Sequence, residues 1–466
     1  MRYVSTRSAT EAAARDVLLG ALAPDGGLFL PARWPRLSET EARAIANGSY
    51  ADALATVVPH FLDREAAARL KADAGFAARA LAGFRHPAVA PLSELAPDLW
   101  LLELFHGPTF SFKDYGLQPL ARLAADILGL GGDGARRLII GATSGDTGSA
   151  ALAAFAGVPG VEAVILFPDG RISEVQRRQM TTIAAGNVHC VAVSGSFDDA
   201  QRLAKRALAR LAGAGVPVLA VNSINWGRIL FQSVYYQWTA QRLAARTGRP
   251  VRFVIPSGNF GNAFAAILAW RMGAPVAGLL LATNSNDALV RAVREGRLAR
   301  GRVRATLSPA MDIQVPSNLE RLIALELADA GRMRELMRAF EERGTVTLPR
   351  PAGAGLGLVL AARAVDDETT LATIRSVHAA TDRILCPHTA VGFAAREAAG
   401  PAGDAVDVLV ATAHPAKFPD AVRRAIGVPP VVPPGLAGAL AGKERVHRLP
   451  AEEAALAGFL ERLIAA

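Results

Sequence analysis

The chain has 466 residues, 51% hydrophobic and 20% charged, with a formal net charge of +9; this length and balance predict two or three folded domains and exclude a disordered chain. Only five of the basic residues are lysines (Lys71, Lys113, Lys205, Lys417 and Lys443), and the arginines are dispersed, with no basic run interleaved with aromatics. A nucleic-acid groove is therefore not expected, and no segment approaches the roughly 18 apolar residues of a membrane span.

In chain order, residues 1–95 read as a mostly helical region, interrupted at the turn Ala23-Pro24-Asp25-Gly26-Gly27. The pattern changes near residue 98, where Leu99–Leu104 is a short apolar run and a predicted strand. Six apolar segments then each precede a helical one: 137–141, 163–167, 188–193, 217–221, 251–255 and 278–282. This alternation predicts an α/β chain with parallel-rich sheets covered on both faces. Residues 301–380 read as a helical insertion. Two further strand–helix units, 383–386 into 389–399 and 406–412 into 418–425, return the chain to its core. The domain expectation is thus 1–95, 96–300, 301–380 and 381–466.

Four segments carry chemistry, each where a predicted strand enters a helix, the usual place for sites in such folds. In His106-Gly107-Pro108-Thr109-Phe110-Ser111-Phe112-Lys113-Asp114 a lysine follows a Gly-Pro turn and is flanked by an aromatic ring. Desolvation there lowers an ammonium's pKa, as an imine-forming lysine requires; a surface lysine at a helix end is the alternative. Ser257-Gly258-Asn259-Phe260-Gly261-Asn262 turns from an apolar strand into a helix start, which suits a phosphate; it is neither a Walker loop nor GxGxxG, and a plain capped turn is the alternative. Gly141-Ala142-Thr143-Ser144-Gly145-Asp146-Thr147-Gly148 offers hydroxyls at a helix N-terminus, a second anion pocket unless Asp146 simply caps the helix. Ala411-Thr412-Ala413-His414-Pro415-Ala416-Lys417 places a hydroxyl at a strand end, where a neutral group can meet a ring nitrogen. Structural roles are expected for His388 and His414. Together the four supply an imine lysine, a phosphate cradle, a carboxylate-type loop and a ring-nitrogen partner, the inventory for pyridoxal 5'-phosphate.

These segments, with Leu22–Phe29, Asn222-Ser223-Ile224-Asn225-Trp226-Gly227-Arg228-Ile229, Met311–Arg321 and Pro387-His388-Thr389-Ala390-Val391-Gly392, resemble the threonine synthase family, in its enterobacterial and fungal branch, within the fold-type II pyridoxal-phosphate enzymes. The resemblance covers most of the chain in order. It implies a tryptophan synthase β-like fold of two α/β domains with an N-terminal, mostly helical region. It also implies a lyase that converts O-phospho-L-homoserine and water to L-threonine and inorganic phosphate by γ-elimination and β-hydration. Lys113 would hold the cofactor as a Schiff base and shuttle protons. Gly258, Asn259, Phe260, Gly261 and Asn262 would bind its phosphate, and Thr412 would face its pyridine nitrogen. Ser144, Asp146, Thr147 and Lys417 would serve the substrate, with Ser144, Thr147, Lys417 or an arginine not singled out receiving the leaving phosphate. No metal, nucleic acid or membrane is implied, and the protein would be a monomer or homodimer. Three positions depart from the family pattern: Ser111 and Gly227 stand where alanine is usual, and Cys386 where an acid is usual. Competing readings are another fold-type II lyase acting on a phosphate-free substrate and a non-catalytic relative. The two cysteines form no CxxC and the first residues lack an apolar signal core, so the cytoplasm is the expected compartment.

Overall fold

Strands that are apolar on both faces build this molecule, because each must be covered twice. The computed structural model describes every residue except 21, 130–136, 144, 217, 220 and 466, and the side chains of 212 and 465. Two sheets dominate. The larger has six strands, in the order Val359–Ala364, Val276–Thr283, Val251–Pro256, Val406–Ala411, Leu99–Glu103, Leu92–Ala96. All its pairings are parallel except the last. The smaller has five parallel strands, in the order His447–Pro450, Val188–Ser194, Val161–Pro168, Arg137–Ala142, Val218–Leu219.

Period-2 alternation sends the two faces of the smaller sheet into different cores. Ile139, Ala163 and Ile165 join the main apolar cluster. Leu138, Ile140, Val164 and Leu166 pack instead with Leu203 of helix Phe197–Gly213 and with Leu456 and Leu460 of the C-terminal helix Glu453–Ala465. The helix Trp226–Thr247 is buried without interruption from Trp226 to Ala240, and that stretch includes the polar side chains of Arg228, Gln232 and Gln237. It packs on both helix Lys113–Arg122 and helix Gly261–Arg271, which is how two chemically important helix starts come to share one support.

Three readings of the sequence change. The first thirteen residues are not helical. Arg2–Ser5 pairs antiparallel with Glu11–Ala13 and Phe29–Pro31 in a small sheet, and strands of three or four residues are too short to show a period. Arg383–Cys386 is irregular rather than a strand. The insertion at 301–380 instead contributes Val359–Ala364 to the large sheet; Val359, Ala361 and Ala364 are exposed there and Arg363 interrupts it, so this edge strand lacks the two-sided burial of the central ones. The two helices expected at 389–399 and 418–425 fall near those bounds, at Pro387–Ala399 and Pro419–Ile426.

Candidate active site

The carboxyl ends of strands from both sheets open on one cavity of about 830 Å³, lined by Lys113, Asp146, Thr147, Arg228, Ser257–Asn262, His388 and Thr412 among others. Its floor is set by a backbone zipper. The N–H of Phe112 donates to the carbonyl of Thr412 at 2.8 Å, and the N–H of His414 to the carbonyl of Phe110 at 3.0 Å. Phe110 adopts φ 60° to make the turn. Asp114 accepts from the Thr109 N–H and hydroxyl, both at 2.8 Å, and a Cβ at Gly107 would lie 2.5 Å from the Asp114 side chain. The Gly-Pro turn and Asp114 thus fold the loop onto the first turn of the helix.

Lys113 begins that helix and is buried, its Nζ 5.3 Å from the Phe112 ring centre and 3.6 Å from Asp146 Oδ2. Burial lowers it to about 8; Asp146 opposes the shift, while Arg228 and Lys417 add to it. Asp146 does not cap its helix, whose N-cap is Gly145 with no side-chain bond. Its Oδ1 accepts from Lys417 Nζ at 2.9 Å and from Gln176 Nε2 at 3.1 Å. Burial alone would raise this carboxyl, but Lys417 and then Lys113 hold it well below the usual carboxylate range. Thr143 is occupied within its own loop, its hydroxyl accepting from the N–H groups of Gly145 and Gly148 at 3.0 Å each.

The Ser257–Asn262 loop leaves strand Val251–Pro256 and enters helix Gly261–Arg271 through Phe260 at φ 63°. Among the described residues no acceptor takes the backbone N–H groups of 258–262, and the buried Ser257 hydroxyl has no partner. A Cβ on Gly258 would lie 2.9 Å from Met311 Cα, so the loop passes under that segment only as glycine. Asn262 is anchored, its Oδ1 accepting from Tyr236 at 2.8 Å and also from Tyr235. Asn259 Nδ2 donates to the Ser223 hydroxyl at 2.6 Å.

Comparison with known proteins decides the family. A model described as "Pyridoxal-phosphate dependent enzyme" matches residues 85–364, one for the threonine synthase N terminus matches 2–73, and one for the threonine synthase C-terminal part matches 389–460. Threonine synthase of Pseudomonas aeruginosa is 41% identical, over 99% of this chain and 98% of that one. The chain belongs to the threonine synthases. The solved, pyridoxal-phosphate-bound threonine synthase of Brucella melitensis is similar over the whole of both chains, with a TM-score of 0.93 and 40% identity. The Escherichia coli threonine synthase structure is similar at 0.81 and 31%, covering 99% of this chain and all of that one. A tomato threonine deaminase structure, at 14% identity and 0.51, shares the fold alone.

The cofactor of this threonine synthase is pyridoxal 5'-phosphate, and the cavity fits it. The unclaimed N–H groups of 258–262, the helix start behind them and the partnerless Ser257 hydroxyl suit a phosphate; Lys113 and the Thr412 hydroxyl, which bonds no described residue, stand in the same space. Of the expected substrate residues, Asp146 and Thr147 line the cavity, and Ser144 lies outside the described residues. Lys417 does not line it. Its buried ammonium is taken by Asp146 and by the Thr109 carbonyl at 2.7 Å, so the expected contact with a leaving phosphate is corrected to one with protein groups.

Arg228 is the residue that sequence reasoning missed. It is 3% exposed, lines the cavity, and among the described residues donates only to the Val221 carbonyl at 3.1 Å. Its Nε has no partner, and no carboxylate among the described residues pairs with it. Burial brings it down to about 10. An arginine at the third position of the helix that follows Asn225 was the available signal. His388 also gains a place: its Nε2 accepts from the Ala310 N–H at 3.2 Å and burial lowers it to about 3, so it is a neutral ring beside Lys113 and Asp146. The departures from the family pattern have local reasons. Cys386 caps helix Pro387–Ala399 through its thiol, taking the capping part an acid would play. A Cβ on Gly227 would meet Leu120, 2.5 Å away. Nothing in the structure explains the buried, unpartnered Ser111 hydroxyl.

Proposed function

We propose that the chain converts O-phospho-L-homoserine and water into L-threonine and inorganic phosphate, with Lys113 as the lysine that holds the cofactor and moves protons at the substrate. The observation that carries this reading is the pair of anion receivers in one cavity, the 258–262 cradle and the carboxylate-free Arg228. One phosphate belongs to the cofactor. A buried guanidinium without a counter-charge suits a substrate that brings its own phosphate in addition to its carboxylate.

When bound, pyridoxal 5'-phosphate supplies an electron sink for bond breaking next to the substrate amine. Gly258, Asn259, Phe260, Gly261 and Asn262 hold its phosphate, and Thr412 offers its ring nitrogen a neutral hydroxyl. Lys113, at about 8, is near enough to the working pH to exist as a base at Cα and to return the proton. Arg228 binds the substrate phosphate and stabilises it as it leaves. Asp146 and Thr147 orient the amino acid in the loop that includes Ser144. Residues 96–300 supply most of this machinery, and 381–466 add the central strand Val406–Ala411 together with His388 and Thr412. No helix among the described residues is long and apolar enough to cross a membrane; two free, buried cysteines suit a reducing compartment, and the cytoplasm is the proposed location.

The test is phosphate release from O-phospho-L-homoserine by the purified, yellow protein, with threonine appearing in equal amount. A yellow protein that releases no phosphate but deaminates threonine or serine overturns the substrate while leaving the cofactor in place.

A further inference from the structure

Lys417 lies outside the cavity but against its chemistry. It ends the short turn Pro415–Lys417 after strand Val406–Ala411, and its side chain is 0% exposed. Its ammonium reaches two partners from different parts of the fold: the Thr109 carbonyl on the loop before Lys113, and Asp146 Oδ1 at the start of the helix that follows strand Arg137–Ala142. Asp146 therefore stands between two ammonium groups, and unequally, at 2.9 Å from Lys417 and 3.6 Å from Lys113. Gln176 occupies the same Oδ1 as Lys417, leaving only Oδ2 to Lys113.

We propose that Lys417 is a positioning residue for Lys113: by taking Asp146 as its own ion-pair partner, it keeps that carboxylate from closing on Lys113 and holding it as an ammonium. The inference rests on the reading of Lys113 as the cofactor lysine. A lone carboxylate facing a lone buried lysine fixes the proton on the lysine, which defeats a group that must be a free amine for part of each turnover. A second ammonium removes that trap. The charged groups facing Lys113 are Asp146, Arg228 and Lys417; Asp146 faces the ammonium groups of Lys417 and Lys113 and the neutral His388 ring. Only Asp146 favours the protonated amine. Deleting Lys417 removes a repelling cation and frees Asp146, and both changes raise Lys113.

With five lysines in the chain, a protein labelled with 13Cε-lysine gives few enough resonances to follow each one, and the signal missing from K113M assigns Lys113. In the cofactor-free full chain, K417M should move the Lys113 titration upward by about one pH unit or more. The double variant K417M/D146N should reverse the shift. In the holoenzyme the pH midpoint of the cofactor's visible absorption and the acid limb of kcat/KM should move the same way, with kcat falling more than KM changes. A K417M protein that melts earlier but titrates at Lys113 like the parent overturns the proposal and leaves Lys417 as packing. Should K417M not fold, D146N alone decides: Lys113 should then titrate below the parent, and an unchanged midpoint overturns the proposal. Borohydride reduction with peptide mapping is the separate control, since a label on any residue but Lys113 overturns the underlying reading instead.

Discussion

The backbone N–H of Phe112 meets the Thr412 carbonyl at 2.8 Å, which locks the residue before Lys113 to the residue whose hydroxyl faces the same cavity. The two are 300 positions apart in the chain, and strand Leu99–Glu103 lies parallel to Val406–Ala411, so the neighbouring strands deliver both loops to one place. Lysine and hydroxyl are therefore set on rigid elements rather than on mobile loops.

That rigidity holds Lys113 buried at a stability penalty. Its folded pKa, about 8, is below the usual 10.5, so the cofactor-free protein folds against the cost of burying an ammonium at neutral pH. The sign follows from linkage: the penalty is complete below pH 8, fades between 8 and about 10.5, and is absent above. K113M should accordingly be inactive yet more stable than the cofactor-free parent at pH 7, by about 2–3 kcal/mol. Denaturant melts at pH 7 and at pH 10.5 check this, with the gain expected only at the lower pH.

Arg228 should act chiefly on the substrate phosphate. Replacing it with methionine keeps the packing volume and removes a charge-assisted contact of about 1.5–3 kcal/mol, or roughly 10- to 100-fold in kcat/KM for the phosphorylated substrate. Inhibition by inorganic phosphate should weaken in parallel, while the affinity for the cofactor stays as in the parent. Steady-state kinetics with and without added phosphate measure both.

Gly258→Ala should loosen the cofactor. The new Cβ would stand 2.9 Å from Met311 Cα, a backbone atom that cannot swing away, so the loop must shift and its N–H groups lose their aim. Cofactor affinity should drop about tenfold or more, corresponding to roughly 1.4 kcal/mol. Fluorescence titration of the cofactor-free variant reads this directly.

Arg321 is a stability test well inside the protein. Fully buried, it donates to the carbonyls of Phe29 at 3.0 Å and Ile224 at 2.7 Å and to the Asn318 side chain, stitching the N-terminal sheet to the loop before Trp226. R321M should leave these acceptors unpaired in the interior and destabilise by about 3 kcal/mol. Thermal unfolding of the holoenzyme should begin several degrees earlier.

The sequence by itself determined the α/β class, the central strands and the loops that matter, because buried parallel strands are continuous apolar runs and because Lys113, Ser257–Asn262 and Thr412 sit at strand ends in a recognisable order. Short or edge strands such as Arg2–Ser5 and Val359–Ala364 were not legible, since three to six half-exposed residues carry no distinctive period. Tertiary structure alone decided who partners whom. Lys417 and Arg228 are equally plain as letters, yet one is spent on Asp146 and Thr109 while the other reaches the cavity without a counter-charge. Which buried cation is already paired depends on distances between segments remote in the chain, and local sequence does not encode those distances.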